Sequence, residues 1–219
     1  MIDINLKFLK MIINNLELIL PHINIDNDLD DFYFLQIIKR RKENPDMTSN
    51  SSIVKTYYIS SVTYLEKKMP EIIMFCEKSN ARACISLNRR SFEKIAFHTL
   101  RKVTEQICNK DFYNVKNAYD KACGAYSEES DKKWIIDLDK PLDTTQVLSA
   151  INGIILGCQP NPYGETKFIT TLPTPNGVHM ITKPFNIQEF NIRFKEMYPL
   201  LEIPEIHKNN PTILYFNKK

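Results

Sequence analysis

Nothing in this 219-residue sequence approaches the roughly 18 to 20 uninterrupted apolar residues of a membrane-spanning helix. Its first residues, Met1-Ile2-Asp3-Ile4-Asn5-Leu6-Lys7, lack the basic start, continuous apolar block and small-residue cleavage site of a secretory signal. Cysteine is sparse: Cys76, Cys84, Cys108, Cys123 and Cys158 are odd in number, widely scattered and never in a CxxC pair. That supports neither a zinc knuckle nor a disulfide framework, so the expected setting is a reducing cytoplasm, with cysteines as small core residues. Charge of one sign is not in excess, since 29 Lys+Arg against 26 Asp+Glu give a net +3. A basic surface for a polyanion must therefore come from local clustering. Glycine is scarce, at 5, and with abundant Asn, Ile and Lys it suggests an AT-rich coding source. Internal repeats and low-complexity tracts are absent.

What is present is the composition of a soluble globular chain, 43% hydrophobic and 25% charged, long enough for one large or two small domains. Leu6, Leu9, Ile13, Leu16 and Leu20 recur at helical spacing and predict an amphipathic helix over residues 2–20, stopped by Pro21. An acidic linker, 26–31, follows. Strands are predicted at 32–38, 53–59 and 82–87, with helices capped by Ser61 and Ser91 and a further helix at 111–123. The polar run Ser127 to Asp131 divides an N-terminal lobe, 1–126, from a C-terminal lobe, 127–219. The second lobe reads as strand 133–139, helix 144–155, strands 167–171 and 177–182 about an Asn176-Gly177 turn, helix 187–197 and a last strand 212–216. Alternating strands and helices with one hairpin predict an α/β or α+β fold with a mixed sheet.

The stretch with the most chemistry is Lys133-Trp134-Ile135-Ile136-Asp137-Leu138-Asp139. It reads as a buried strand ending in two carboxylates on one face, roughly 7 Å apart. Such acids repel unless a cation lies between them, and hard oxygen ligands suit Mg²⁺ or Mn²⁺. Acids at a strand end also simply face water. His179 follows about forty residues later in a strand just past a tight turn, where a hydrogen-bonded structural role is the ordinary alternative. Lys39-Arg40-Arg41-Lys42 is the densest positive charge, suited to phosphates or equally to a solvated strand exit. Arg82 shares a strand face with Ser86 and Asn88; with Arg89 and Arg90 it forms a second basic group able to meet phosphates.

A hydrophobic strand ending in Asp137-x-Asp139, a small-x-His strand at Gly177-Val178-His179 and a later acid resemble the catalytic pattern of the archaeo-eukaryotic primase superfamily, which includes plasmid and phage primase-polymerases. The resemblance covers about residues 30 to 216, with specificity confined to these two segments. It implies a two-lobed catalytic domain whose second lobe carries the DxD and GVH strands. It also implies a template-directed nucleotidyltransferase using Mg²⁺ or Mn²⁺, placed in the host cytoplasm if phage-encoded. Asp137, Asp139 and Glu205 would be the metal ligands, Glu202 being the other acid available for the third position. His179 would contact the incoming nucleotide, with Arg40, Arg41, Lys42 and Lys183 as further nucleotide contacts. Arg82, Arg89 and Arg90 would face nucleic acid. The implied partners are nucleoside triphosphates, a single-stranded DNA template and a helicase or other replication protein. Two other readings stand beside it: a metal-dependent nuclease, and a non-catalytic nucleic-acid or protein-binding module on the same scaffold.

Overall fold

Two antiparallel sheets organise the chain in the computed structural model, which describes residues 12–24, 30–127, 132–160 and 166–217. The first runs in the order β1 (Ile12–Asn14), β10 (Thr212–Asn217), β4 (Arg82–Ile85), β2 (Asp31–Arg40), β3 (Ser51–Ile59), and the short β5 (Arg90–Ser91) pairs with the start of β2. The second runs β7 (Phe168–Pro173), β8 (Gly177–Thr182), β6 (Trp134–Asp139), β9 (Glu205–His207). Among the described residues six α-helices accompany them: α1 (Leu16–Ile19), α2 (Val62–Ser79), α3 (Phe92–Cys108), α4 (Ala118–Ala125), α5 (Thr145–Gly157) and α6 (Ile187–Met197). Ser61, Ser91 and Thr144 accept the backbone N–H three residues on, which starts α2, α3 and α5 where each side chain predicts. No helix among the described residues is long and apolar enough to cross a membrane.

The alternation of helix and strand is there, but the expected mixed sheet is not: every ladder among the described residues is antiparallel. The reason is topological. α2 carries the chain from β3 over to β4, and α6 carries it from β8 over to β9, so each crossover leaves its two strands parallel. In both sheets an earlier strand lies between them, β2 in the first and β6 in the second, antiparallel to each neighbour. Both sheets thus use a split crossover, and the parallel strands never touch.

The predicted N-terminal helix is corrected where it can be seen. Residues 2–11 lie outside the described residues, Ile12–Asn14 is a strand, and only Leu16–Ile19 is α-helical. Tertiary pairing outweighs the helical spacing of Ile13, Leu16 and Leu20. Asn15, only 1% exposed, donates through Nδ2 to Ile213 O at 2.8 Å and Pro173 O at 3.0 Å, so it fastens β1 to both sheets. β1 to β5 belong to the first sheet and β6 to β9 to the second, but β10 returns to the first sheet between β1 and β4. All six β10 residues are buried, which suits an interior strand rather than an edge.

Alternation along β6 decides what faces what. Ile136 and Leu138 point into a core closed by α5 and α6, with Ile151, Ile154, Phe190 and Phe194. Ile135 points the other way, into a core shared with Leu172, Ile181 and the first-sheet residues Leu35, Ile37 and Ile85 under α2. Asp137 and Asp139 share the parity of Ile135, so the carboxylates leave the sheet on the side that meets the first sheet.

Candidate functional site

Strand register assembles the site. In the β6–β8 ladder Asp137 lies opposite His179 and Asp139 opposite Gly177; in the β6–β9 ladder Asp137 lies opposite Glu205. Directly opposed residues share a face, with Cβ atoms about 5 Å apart, so His179, Asp137 and Glu205 form one row across three strands. His179 Nε2 lies 3.6 Å from Asp137 Oδ1.

Gly177 makes this row possible. A Cβ there would lie 2.0 Å from Leu138 O and 2.9 Å from Asp139 Cα. The Asn176-Gly177 pair reads in the sequence as a turn, yet Gly177 is the first residue of β8 and its backbone is not left-handed. It is needed for close approach. Gly177→Ala should therefore push β8 off the carboxylate end of β6, costing about 1–3 kcal/mol in chemical denaturation and weakening Mn²⁺ binding.

The row opens onto a cavity of about 770 Å³. Asp137, Asp139, His179, Glu202 and Glu205 line it from one side, together with the β7–β8 turn at Thr174, Pro175 and Asn176. Ile38, Arg40, Arg82 and Cys84 line it from the first sheet, and Lys42, Asn50 and Ser51 from the ends of the β2–β3 hairpin. Carboxylates and cations thus face each other across one space.

The electrostatics set the protonation states. Burial pushes the Asp137 carboxyl up, and the charges of Asp139 and Glu205 push it further, against the opposing pull of His207 and Arg40. The His179 ring is pushed down to about 4, mainly by burial and further by His207 and Arg82. It is therefore neutral at pH 7, and the 3.6 Å contact with Asp137 is not an ion pair. Its Nδ1 lies 2.8 Å from Thr212 Oγ1. With Nε2 facing the Asp137 carboxylate, the favoured tautomer carries its proton on Nε2 and accepts the Thr212 hydroxyl at Nδ1.

This neutral ring has a measurable signature. The unfolded histidine titrates near 6.5 and the folded one near 4, so on acidification the unfolded chain takes the proton first. Stability in chelator should be whole above about pH 6.5, fall by on the order of 3 kcal/mol down to about pH 4, then lose this slope. Burial also pushes His22 down, with the same sense, so the difference between wild type and His179→Asn in denaturation at several pH values isolates the effect.

Asp137 and Asp139 are hard oxygen donors that do not by themselves make a complete metal cage. Among the described residues no three His, Cys, Asp or Glu side chains converge as a ready-made metal cage. Two neighbouring carboxylates whose mutual repulsion already pushes Asp137 up suit Mg²⁺ or Mn²⁺, which keep waters and take substrate phosphates as remaining ligands. Glu205, on an 81% exposed side chain beside the pair, is available to such an ion, and Glu202 shares the cavity wall.

The other predicted residues separate sharply. Arg40, the last residue of β2, and Lys42, in the turn that follows, line the cavity, whereas Lys39 and Arg41 do not. Lys183 lies beyond the end of β8, four residues or about 13 Å along the chain from His179, and is not among the lining residues. Arg89 pairs with Asp31 at 2.9 Å. Arg90 is fully buried, donating to Asn88 O, Ser86 Oγ and Cys123 O, and its guanidinium lies 5.5 Å from the Phe34 ring centroid. It cannot face nucleic acid. β5 pairs with the start of β2, eight residues or about 25 Å from Arg40, so the predicted basic group is split between the two ends of the sheet. Thr212, Asn50 and Ser51 are site residues that no sequence motif marks; their signal is positional, created by pairings across the chain.

Comparison with protein-family models, curated proteins and solved structures yields no match.

Proposed function

We propose that this chain is a divalent-metal-dependent, template-directed nucleotidyltransferase of the primase or primase-polymerase type, built as two lobes about the cavity. The observation that carries the reading is the register of Asp137 with His179, which sets a carboxylate pair and a neutral imidazole donor across one cavity from Arg40 and Lys42. Asp137 and Asp139, joined by Glu205, would hold Mg²⁺ or Mn²⁺. When bound, such ions supply charge neutralisation at the phosphates and lower the pKa of an attacking 3′-hydroxyl. The chain's own residues position the rest. His179 donates its Nε2–H to a triphosphate oxygen, with Thr212 fixing the ring, while Arg40 and Lys42 set positive charge on the opposite wall. No side-chain nucleophile is needed, because positioning and electrostatic stabilisation carry phosphoryl chemistry. The substrates under this reading are nucleoside triphosphates and a single-stranded DNA template, with a helicase or another replication protein as companion.

The nuclease reading uses the histidine as a general base, and here the environment argues against it. A ring that burial pushes down to about 4, with Nδ1 engaged by Thr212 Oγ1, is a weak base at neutral pH. The deciding assay supplies Mn²⁺, a single-stranded template and nucleoside triphosphates. Template-dependent product is expected. Strand degradation without triphosphates would assign a nuclease, and binding of the strand with no turnover would assign a non-catalytic module.

A further inference from the structure

On the cavity wall opposite the carboxylates, β4 places a guanidinium whose hydrogen-bonding capacity is only partly used. Arg82 lines the cavity and is 9% exposed. Its Nη2 pairs with Glu43 on the β2–β3 turn, the one hydrogen bond this guanidinium makes among the described residues. Its central carbon lies 4.7 Å from the centroid of the Phe216 ring. Arg82 Nε and Glu43 Oε2 are both buried without a partner.

A buried ion pair that leaves donors and acceptors unsatisfied is a poor way to hold strands together, and apolar residues of similar volume do so as well or better. The planar fork of arginine is suited instead to taking an oxyanion through two nitrogens. The turn that presents Glu43 is itself fixed. Asn44 Nδ2 donates to Arg40 O at 3.0 Å and Asn80 O at 2.9 Å, and Asn80 Nδ2 donates to Glu43 O at 2.7 Å. Asn80 makes this staple while adopting the left-handed backbone, φ 47°, that ends α2.

We propose that Arg82, with Arg40 and Lys42, forms a polyphosphate subsite on the first-sheet wall of the cavity, and that Glu43 is the positioning residue that orients the Arg82 fork. The inference deepens the nucleotidyltransferase reading, since it names the wall that takes the polyanion. Glu43 plays two parts with opposite effects. It orients the guanidinium, and its charge also competes with an incoming anion.

Inorganic tripolyphosphate, titrated calorimetrically in chelator at low salt, is the probe. The Arg82→Met/Glu43→Leu variant replaces the pair with apolar residues, and its melting temperature shows that it folds. Wild type should bind the probe and this variant at least tenfold more weakly. Glu43→Gln, which keeps an acceptor for Nη2 and removes the competing charge, should bind at least as tightly as wild type. Wild-type affinity in the folded double variant, or no binding by wild type, would overturn the subsite. The two claims fail separately. Tripolyphosphate bound through Arg82 without nucleotide transfer leaves the subsite and removes the enzyme reading. Nucleotide transfer by the double variant at wild-type KM does the reverse.

Discussion

Replacing Asp137 and Asp139 together by Asn is expected to abolish Mn²⁺-dependent nucleotide transfer while leaving the fold intact. The two side chains project from one face of β6, and the Asp137 carboxyl is pushed up by burial and by the charges of Asp139 and Glu205. A carboxyl whose folded pKa lies above its unfolded value contributes stability at low pH that is lost as pH rises through the folded value. At neutral pH the Asp137 charge is therefore a cost to the metal-free protein. Removing the charge with an isosteric amide should hold or raise the melting temperature in chelator. Activity should fall by three or more orders of magnitude, equivalent to about 4 kcal/mol of transition-state stabilisation. The opposite signs of the two effects exclude simple unfolding as the cause. An Asn/Asn variant with wild-type transfer activity would remove both metal-dependent readings at once.

The second large effect is expected at His179. An Nε2–H donated to an anionic phosphate oxygen contributes about 1.5–3 kcal/mol, so His179→Ala should weaken nucleoside triphosphate binding by about 10- to 100-fold, with Mn²⁺ binding retained. Thr212→Val provides the control. It removes the hydroxyl that sets the ring tautomer but leaves Nε2 in place, so the loss of nucleotide affinity should be smaller. A histidine acting as a general base would instead slow the chemical step with nucleotide binding unchanged. A purely structural histidine would lower stability alone, since its removal leaves Thr212 without its partner. Calorimetric titration of nucleotide and of Mn²⁺ into the two variants separates these outcomes.

The sequence shows the parts of this site more readily than their assembly. The DxD strand is legible because a β-branched apolar run with alternating acids has one reading, and Ser61, Ser91 and Thr144 announce their helices as capping residues. That Asp137 and His179 share one site is expected from the resemblance, but their direct register is not legible, because it is set by the β7–β8 turn and by Gly177's approach to Leu138 O, not by the intervening residues. Arg82 and Arg90 look alike in the sequence as members of one basic segment. One lines the cavity and the other is sealed beneath α3 and α4, a difference made by which end of β2 each one meets. Ile13, Leu16 and Leu20 mimic a helix because a strand, a bend at Asn15 and one short helical turn happen to reproduce its spacing. The strand at 212–216 is legible, but its interior place in the first sheet is equally hidden. Its burial comes from β1 and β4, which lie far from it in sequence.

A crystal structure with Mn²⁺ and a non-hydrolysable nucleoside triphosphate tests the central claim most directly. Mn²⁺, located by its anomalous signal, is expected on Asp137 and Asp139, with the triphosphate between them and the Arg40 wall and His179 Nε2 within hydrogen-bond distance of a phosphate oxygen. Mn²⁺ bound away from these carboxylates, or a nucleotide seated outside the cavity, would contradict it.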